Sequence, residues 1–184
     1  SGNAKKVIDS FPEDEKLIFG PDYNLGNYIN SVTGRHMLLW NGGCHVHEKF
    51  SVAGIVQLRE AHPEAVVMAH LECKAPVLAM ADVKGSTATM LHYAQQSDSK
   101  EFIVATEAGI LHELERTCPD KRFYPVPPEV TEGVGCSCNE CEYMKKNTLA
   151  KIYNTLKYGW PSVEIDPAIA REAVKPIEKM LSLS

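Results

Sequence analysis

Apolar and polar residues follow two periods along this chain, and the switches between them mark out its elements. Lys16-Leu17-Ile18-Phe19 reads as a short strand closed by Gly20-Pro21-Asp22. Residues 25–32 read as a helix stopped by Gly34, and residues 36–40 as a second strand that ends at Asn41-Gly42-Gly43. In residues 50–61, Val52, Ile55, Val56 and Leu58 recur at helical spacing, and Pro63 follows. Ala65-Val66-Val67-Met68-Ala69 is apolar without a break, as in a parallel strand covered on both faces. The pattern then predicts a short helix over 76–80, a helix opening at Gly85-Ser86-Thr87 and running to 96, and a strand over 102–105. A helix over 108–116 and a strand over 122–125 complete the alternation. Residues 127–135 read as a loop, residues 142–158 as a long helix, and Asp166-Pro167 as the start of a last helix running to 181. Pro176 is expected to kink that helix.

Strand and helix alternate with short connections, which means α/β architecture, parallel sheets and helices on both faces. The repeating unit fits one sheet or two small ones. In such sheets ligands collect beyond the carboxyl ends of the strands. Asp22 and Asn24 follow the first strand, Cys44 the second, His70 and Glu72 the third, and Thr106 and Glu107 the fourth.

Composition removes several classes of function. Of 184 residues, 44% are hydrophobic and 23% charged, the balance of a globular protein rather than a disordered one. A net charge of -5 argues against nucleic-acid binding through a broad basic surface. No apolar run is long enough to cross a bilayer, and Ser1 to Lys6 lacks the apolar core of a signal peptide, so a cytoplasmic protein is expected.

The cysteines change the picture most. Cys44, Cys73, Cys118, Cys136, Cys138 and Cys141 are too unevenly spread for a disulfide scaffold. Cys73 and Cys118 suit buried thiols that act as small hydrophobes. Cys136-Ser137-Cys138-Asn139-Glu140-Cys141 lies in a Gly-flanked loop without an apolar face, and Cys-x-x-Cys spacing suits zinc or an iron–sulfur cluster. A closed zinc site needs four ligands, and no second such pair is present. In Trp40-Asn41-Gly42-Gly43-Cys44-His45-Val46-His47-Glu48, the glycines allow a sharp turn that brings Cys44 near a ligand. A thiolate there also feels the following helix N-terminus. His45 and His47 point to opposite sides if the segment is extended, which leaves each a packing or capping role. In Ala69-His70-Leu71-Glu72-Cys73, an extended segment turns His70 and Glu72 to one side, a spacing that lets an imidazole and a carboxylate line one pocket but that is equally common at an ordinary strand end with solvated polar residues. Gly85-Ser86-Thr87 outlines an anion site at a helix start, or a plain N-cap.

Taken in order, Ser1-Gly2-Asn3-Ala4, Phe19-Gly20-Pro21-Asp22-Tyr23-Asn24-Leu25-Gly26, Trp40 to His47, Ala69 to Cys73, Gly85-Ser86-Thr87 and Cys141-Glu142-Tyr143-Met144-Lys145-Lys146-Asn147-Thr148-Leu149 resemble the quinolinate synthase family. The resemblance implies a transferase of NAD biosynthesis that condenses iminoaspartate with dihydroxyacetone phosphate into quinolinate, phosphate and water. It implies L-aspartate oxidase as the supplier of iminoaspartate. It also implies repeated small three-layer αβα domains in a pseudo-threefold arrangement, about two thirds of it in this chain. Residues 1–44 would be the remainder of the second domain, 45–128 the third, and 129–184 the cluster loop and C-terminal helices. The family holds a [4Fe–4S] cluster through three cysteines and leaves one iron open, unlike the usual four-cysteine holder.

By the same resemblance Cys44 and Cys141 are cluster ligands, and His70 and Glu72 are catalytic and substrate-binding. Thr87, its neighbour Ser86, and Ser1 bind substrate. Cys136 and Cys138 receive no essential role. Family members begin about a third of their length earlier, in a part that carries the first cluster cysteine. The 184 residues alone are therefore expected to be inactive, with apolar surface exposed where that part docks. Two rival readings are a zinc or redox module built on Cys136, Cys138 and Cys141, and an inactive piece that packs against another chain.

Overall fold

In the computed structural model, residues 1–129 and 139–183 are described. Two parallel sheets alternate with helices. The smaller pairs β1 (Ile18–Phe19) with β2 (Leu38–Leu39), in the register Ile18 to Leu38 and Phe19 to Leu39. Between them runs α2 (Tyr23–Thr33), preceded in the chain by α1 (Ala4–Asp9). The side chain of Asp22 caps α2 by accepting from the Leu25 N–H at 2.8 Å, and Gly34 ends the helix at φ +70°. Gly26 lets α2 lie close on the sheet: a Cβ there would come within 2.6 Å of Leu39.

The larger sheet has the order β4-β3-β5-β6, all parallel: β3 (Val66–His70), β4 (Val83–Gly85), β5 (Glu101–Ala105) and β6 (Arg122–Pro125). Neighbouring side chains on a strand go to opposite faces. Val67, Ala69, Ile103 and Ala105 therefore meet Ile55 of α3 (Val52–Ala61) and Val77 of α4 (Ala75–Ala79) on one face. Met68, Phe102 and Val104 meet Met90 and Ala94 of α5 (Thr87–Gln96) and Leu114 of α6 (Ile110–Thr117) on the other. This three-layer arrangement explains the unbroken apolar runs. A third cluster joins Ile8, Leu25, Ile29 and Met37 to Leu71, which follows β3, and so ties the small sheet to the large one.

Three expectations change. Residues 4–9 form α1, which no sequence pattern had marked. Residues 83–85 form β4, too short for alternation to show, so Gly85 ends a strand opposite His70 instead of opening a helix. The helix expected over 142–158 divides. A 3-10 turn spans Met144–Lys146, and α7 (Leu149–Tyr158) starts afresh where the Thr148 side chain accepts from the Lys151 N–H at 3.3 Å. The last helix, α8 (Pro167–Ser182), continues on both sides of Pro176. The expected loop over 127–135 is described only as far as Glu129, and Cys136 and Cys138 lie outside the described residues.

Neither α7 nor α8 contains a buried residue. Ile18 and Leu38, opposite each other on the outer face of the small sheet, are 79% and 68% exposed.

Phe102 is fully buried and stacks on Phe123 with ring centres 5.3 Å apart. Phe102→Ala is expected to cost about 3–5 kcal/mol of stability, read from the midpoint of chemical denaturation.

Candidate active site

The chain leaves β3 for β4 on one side and returns across it to β5 on the other. The carboxyl ends of β3 and β5 thus flank the switch point where open α/β sheets bind ligands. His70 ends β3 and Thr106 follows β5, and both are buried. The loop after β2 brings Cys44 to the same place. That loop is pinned by the Tyr23 N–H donating to the Gly42 carbonyl at 2.7 Å. A Cβ on Gly42 would sit 2.6 Å from the Pro21 carbonyl oxygen, so close backbone approach requires the glycine.

After Cys44 the chain is helical, not extended. The Glu48 N–H donates to the Cys44 carbonyl at 3.0 Å, and a 3-10 turn spans His47–Lys49. Three residues apart on a helical turn, Cys44 and His47 share a side. His47 goes inward and is buried. The Cys44 thiol, a His47 nitrogen and a Glu72 carboxylate oxygen lie within 4.8 Å of one another. His47 Nε2 shares a 2.9 Å hydrogen bond with Thr106 Oγ1. Its Nδ1 is 3.2 Å from Glu72 Oε2, close enough for an ion pair but without the alignment of a hydrogen bond. The ring stacks on His70 at 4.5 Å between centres, 12° from parallel.

The electrostatics follow from this packing. Burial pushes His47 down, but Cys44 and Glu72 beside it outweigh that and hold it up at about 9. Cys44 is lowered in return: burial opposes its thiolate, and His47 more than compensates. The Glu72 carboxyl is lowered chiefly by His47, against the effect of burial. His70 is pushed down to about 4 by burial and by the charge of His47 stacked on it. Of the two stacked imidazoles one is charged and one neutral. The Glu72 N–H donates to His70 Nδ1 at 3.3 Å, so the neutral His70 carries its proton on Nε2, which faces the Ser1 hydroxyl at 3.3 Å.

Of the residues picked out from the sequence, Ser1, Cys44, His70 and Glu72 come together here. Glu72 sits in the turn after β3 rather than on an extended strand, and its carboxylate still lies 3.9 Å from His70 Nδ1. Ser86 caps α5, accepting from the Thr89 N–H at 3.2 Å, and with Ser1, Lys5 and Lys84 lines an adjoining cleft of about 340 Å³. Thr87 is exposed on the first turn of α5. Cys141 is half-buried against the same apolar core as Cys44, and the loops of the two touch where the His45 ring meets Tyr143 edge-on at 5.5 Å. Cys44, Cys73, Cys118 and Cys141 are all free thiols. Burial raises Cys73 to about 12, which makes it inert. Sequence reasoning gave His47 only a packing or capping role and noted Thr106 only as a polar residue following a strand. The signal for His47 was present: Cys-x-x-His is one helical turn.

The chain matches the family described as quinolinate synthetase A protein over residues 1–182. It is 47% identical over all 184 residues to the quinolinate synthase of Nostoc punctiforme, covering 56% of that protein. Against the quinolinate synthases of a Synechococcus and a Synechocystis strain the identity is 44%, again over the whole chain, covering 57% of each. The chain therefore spans about half the length of the curated relatives it matches. Among the described residues no helix is long and apolar enough to cross a membrane.

His70 gives a test of the electrostatics. Its folded value near 4 lies below the ordinary 6.5, so between those pH values the unfolded chain binds a proton that the folded chain refuses. Stability of the metal-free chain is expected to fall by about 3 kcal/mol as pH drops through that window. His70→Gln should flatten that slope in urea titrations at a series of pH values.

Proposed function

We propose that this chain, which belongs to the quinolinate synthase family, supplies two cluster thiolates and the proton-moving groups of a quinolinate synthase. The reaction is the condensation of iminoaspartate with dihydroxyacetone phosphate into quinolinate, phosphate and water, with L-aspartate oxidase as the source of iminoaspartate. The observation that carries this reading is the meeting of the Cys44 and Cys141 loops over one apolar core, beside the His47, His70 and Glu72 side chains.

The residues suit an iron–sulfur cluster. Cys44 is a half-buried free thiol whose pKa is lowered by His47, and Cys141 is a second half-buried free thiol packed against the same apolar core. His47 Nδ1 is buried without an aligned partner, so the pocket retains unspent polar capacity. A [4Fe–4S] cluster held by three cysteines, Cys44 and Cys141 among them, would supply Lewis-acid polarisation at an open iron position when bound.

The chain's own groups do the rest. Glu72 is ionised at neutral pH and starts as a base, taking a proton from carbon or nitrogen during the condensation and returning it in a dehydration. His47 holds that carboxylate in its charged form. His70 donates from Nε2, together with the Ser1 hydroxyl, to a substrate carboxylate or phosphate. Ser86 and Thr87, at the start of α5, offer hydroxyls and free backbone N–H groups to a second anionic group. Burial of His47 and His70 excludes water from reactive imine and enediol species.

The test uses the chain together with the part of the Nostoc punctiforme protein that it does not cover, purified without oxygen. Iron and sulfide in equal amounts are expected, and zinc without iron would overturn the reading. Cys44→Ala and Cys141→Ala should each prevent stable cluster assembly; an intact cluster in either variant removes that ligand. Glu72→Gln should keep the cluster and lower turnover about 10²–10⁴-fold, and near-normal turnover would remove its acid–base role.

A further inference from the structure

Each of the two candidate ligand cysteines is held through its own backbone by a carboxylate that follows a strand of a different sheet. Asp22, buried after β1, divides its two oxygens: Oδ1 accepts from the Leu25 N–H at 2.8 Å, within its own strand-to-helix turn, and Oδ2 accepts from the Cys44 N–H at 2.9 Å. Glu107, shortly after β5, does the same. Its Oε2 accepts from the Gly109 N–H at 2.7 Å in its own turn, and its Oε1 accepts from the Cys141 N–H at 3.1 Å. The Glu107 side chain is only 12% exposed, and Lys145, on the Cys141 loop, places its ammonium 3.7 Å from Oε1. A Cβ on Gly109 would lie 2.6 Å from Glu107 Oε2, so the glycine makes room for this carboxylate.

We propose that Asp22 and Glu107 are paired positioning residues that fix the Cys44 and Cys141 thiols at the separation needed to share one inorganic centre. The inference rests on the ligand reading of those two cysteines. A loop cysteine alone leaves its sulfur free to wander, and metal centres depend on outer groups to orient their ligands. A carboxylate is suited to the task because it accepts two N–H groups at once and bonds each more strongly than a neutral oxygen would. One oxygen anchors the carboxylate to a rigid turn and the other reaches across to the cysteine. The Ala108 N–H to Asn139 carbonyl bond at 3.1 Å supports the Cys141 loop along the same edge.

Asp22→Asn and Glu107→Gln test this. Asparagine still caps α2 through its carbonyl but presents NH2 to the Cys44 N–H, so helix capping and cysteine positioning are separated. Glutamine has one acceptor for two N–H groups. In the metal-free chain, amide hydrogen exchange at Cys44 is expected to rise about tenfold in Asp22→Asn and to stay unchanged at Cys141, with the reverse in Glu107→Gln. In the protein completed by the rest of the family's length, each variant is expected to retain less iron and sulfide than wild type during anaerobic dilution, with a broadened electron paramagnetic resonance signal in the reduced state. Unchanged exchange overturns the proposal, as does raised exchange with full retention of iron and sulfide. Failure of the ligand reading shows separately, in wild-type protein that takes up no iron and sulfide, and the exchange measurement then decides the two clasps on its own.

Discussion

A buried cation must be surrounded by acceptors, and His47 is where this chain meets that requirement. The imidazole lies in the interior with Thr106 at Nε2, Glu72 facing Nδ1 and the Cys44 thiol close by. Its proton lowers the pKa of Glu72 and of Cys44 and adds to the burial that holds the stacked His70 down. Three side chains from two loops and a strand end thus have their titration shifted by one ring, with burial the larger cause for His70. If that ring were removed, the carboxylate and the thiol would revert towards neutral forms in a half-buried pocket, because burial opposes charge on both.

The topology puts that ring in place. Strands β3 and β5 diverge in their onward connections, so the helices that follow cannot close over the strand ends. Thr106 and His70 stand at those strand ends, both in contact with His47, and the turn after β2 brings Cys44 close to the same ring. The same edge receives the Cys141 segment, through Glu107 and through Asn139 bonded to Ala108. One edge of one sheet collects residues separated by nearly a hundred positions of sequence.

The large sheet was legible because a central parallel strand has no polar side. Val66 to Ala69 and Phe102 to Ala105 are unbroken apolar runs, and both are covered by helices on each face. β4 was not legible: three residues, one of them glycine, show no periodicity, and only pairing with Met68 to His70 makes them a strand. The start of α7 shifted because Thr148 offers a cap that hydrophobic spacing does not register. In the site, Cys44, His70 and Glu72 were visible as polar residues just past apolar strands. His47 was not, because an alternation rule for extended chain was applied to a segment that coils. Asp22 and Glu107 were noted as residues after strands, but nothing in their spacing announces that each would take the N–H of a distant cysteine.

The naked helices at the end of the chain carry a thermodynamic consequence. Most of the stability of a protein helix comes from laying its apolar stripe on something, and ten residues alone in water fall short of what self-sufficient helices need. α7 has its Thr148 cap and its Gly159 stop, yet Leu149 and Leu156 remain more than four-fifths in water. The helical order of residues 149–182 is thus coupled to concealment: any apolar surface that shields those stripes deepens their folding, and that gain in order is subtracted from the strength of the association that produces it.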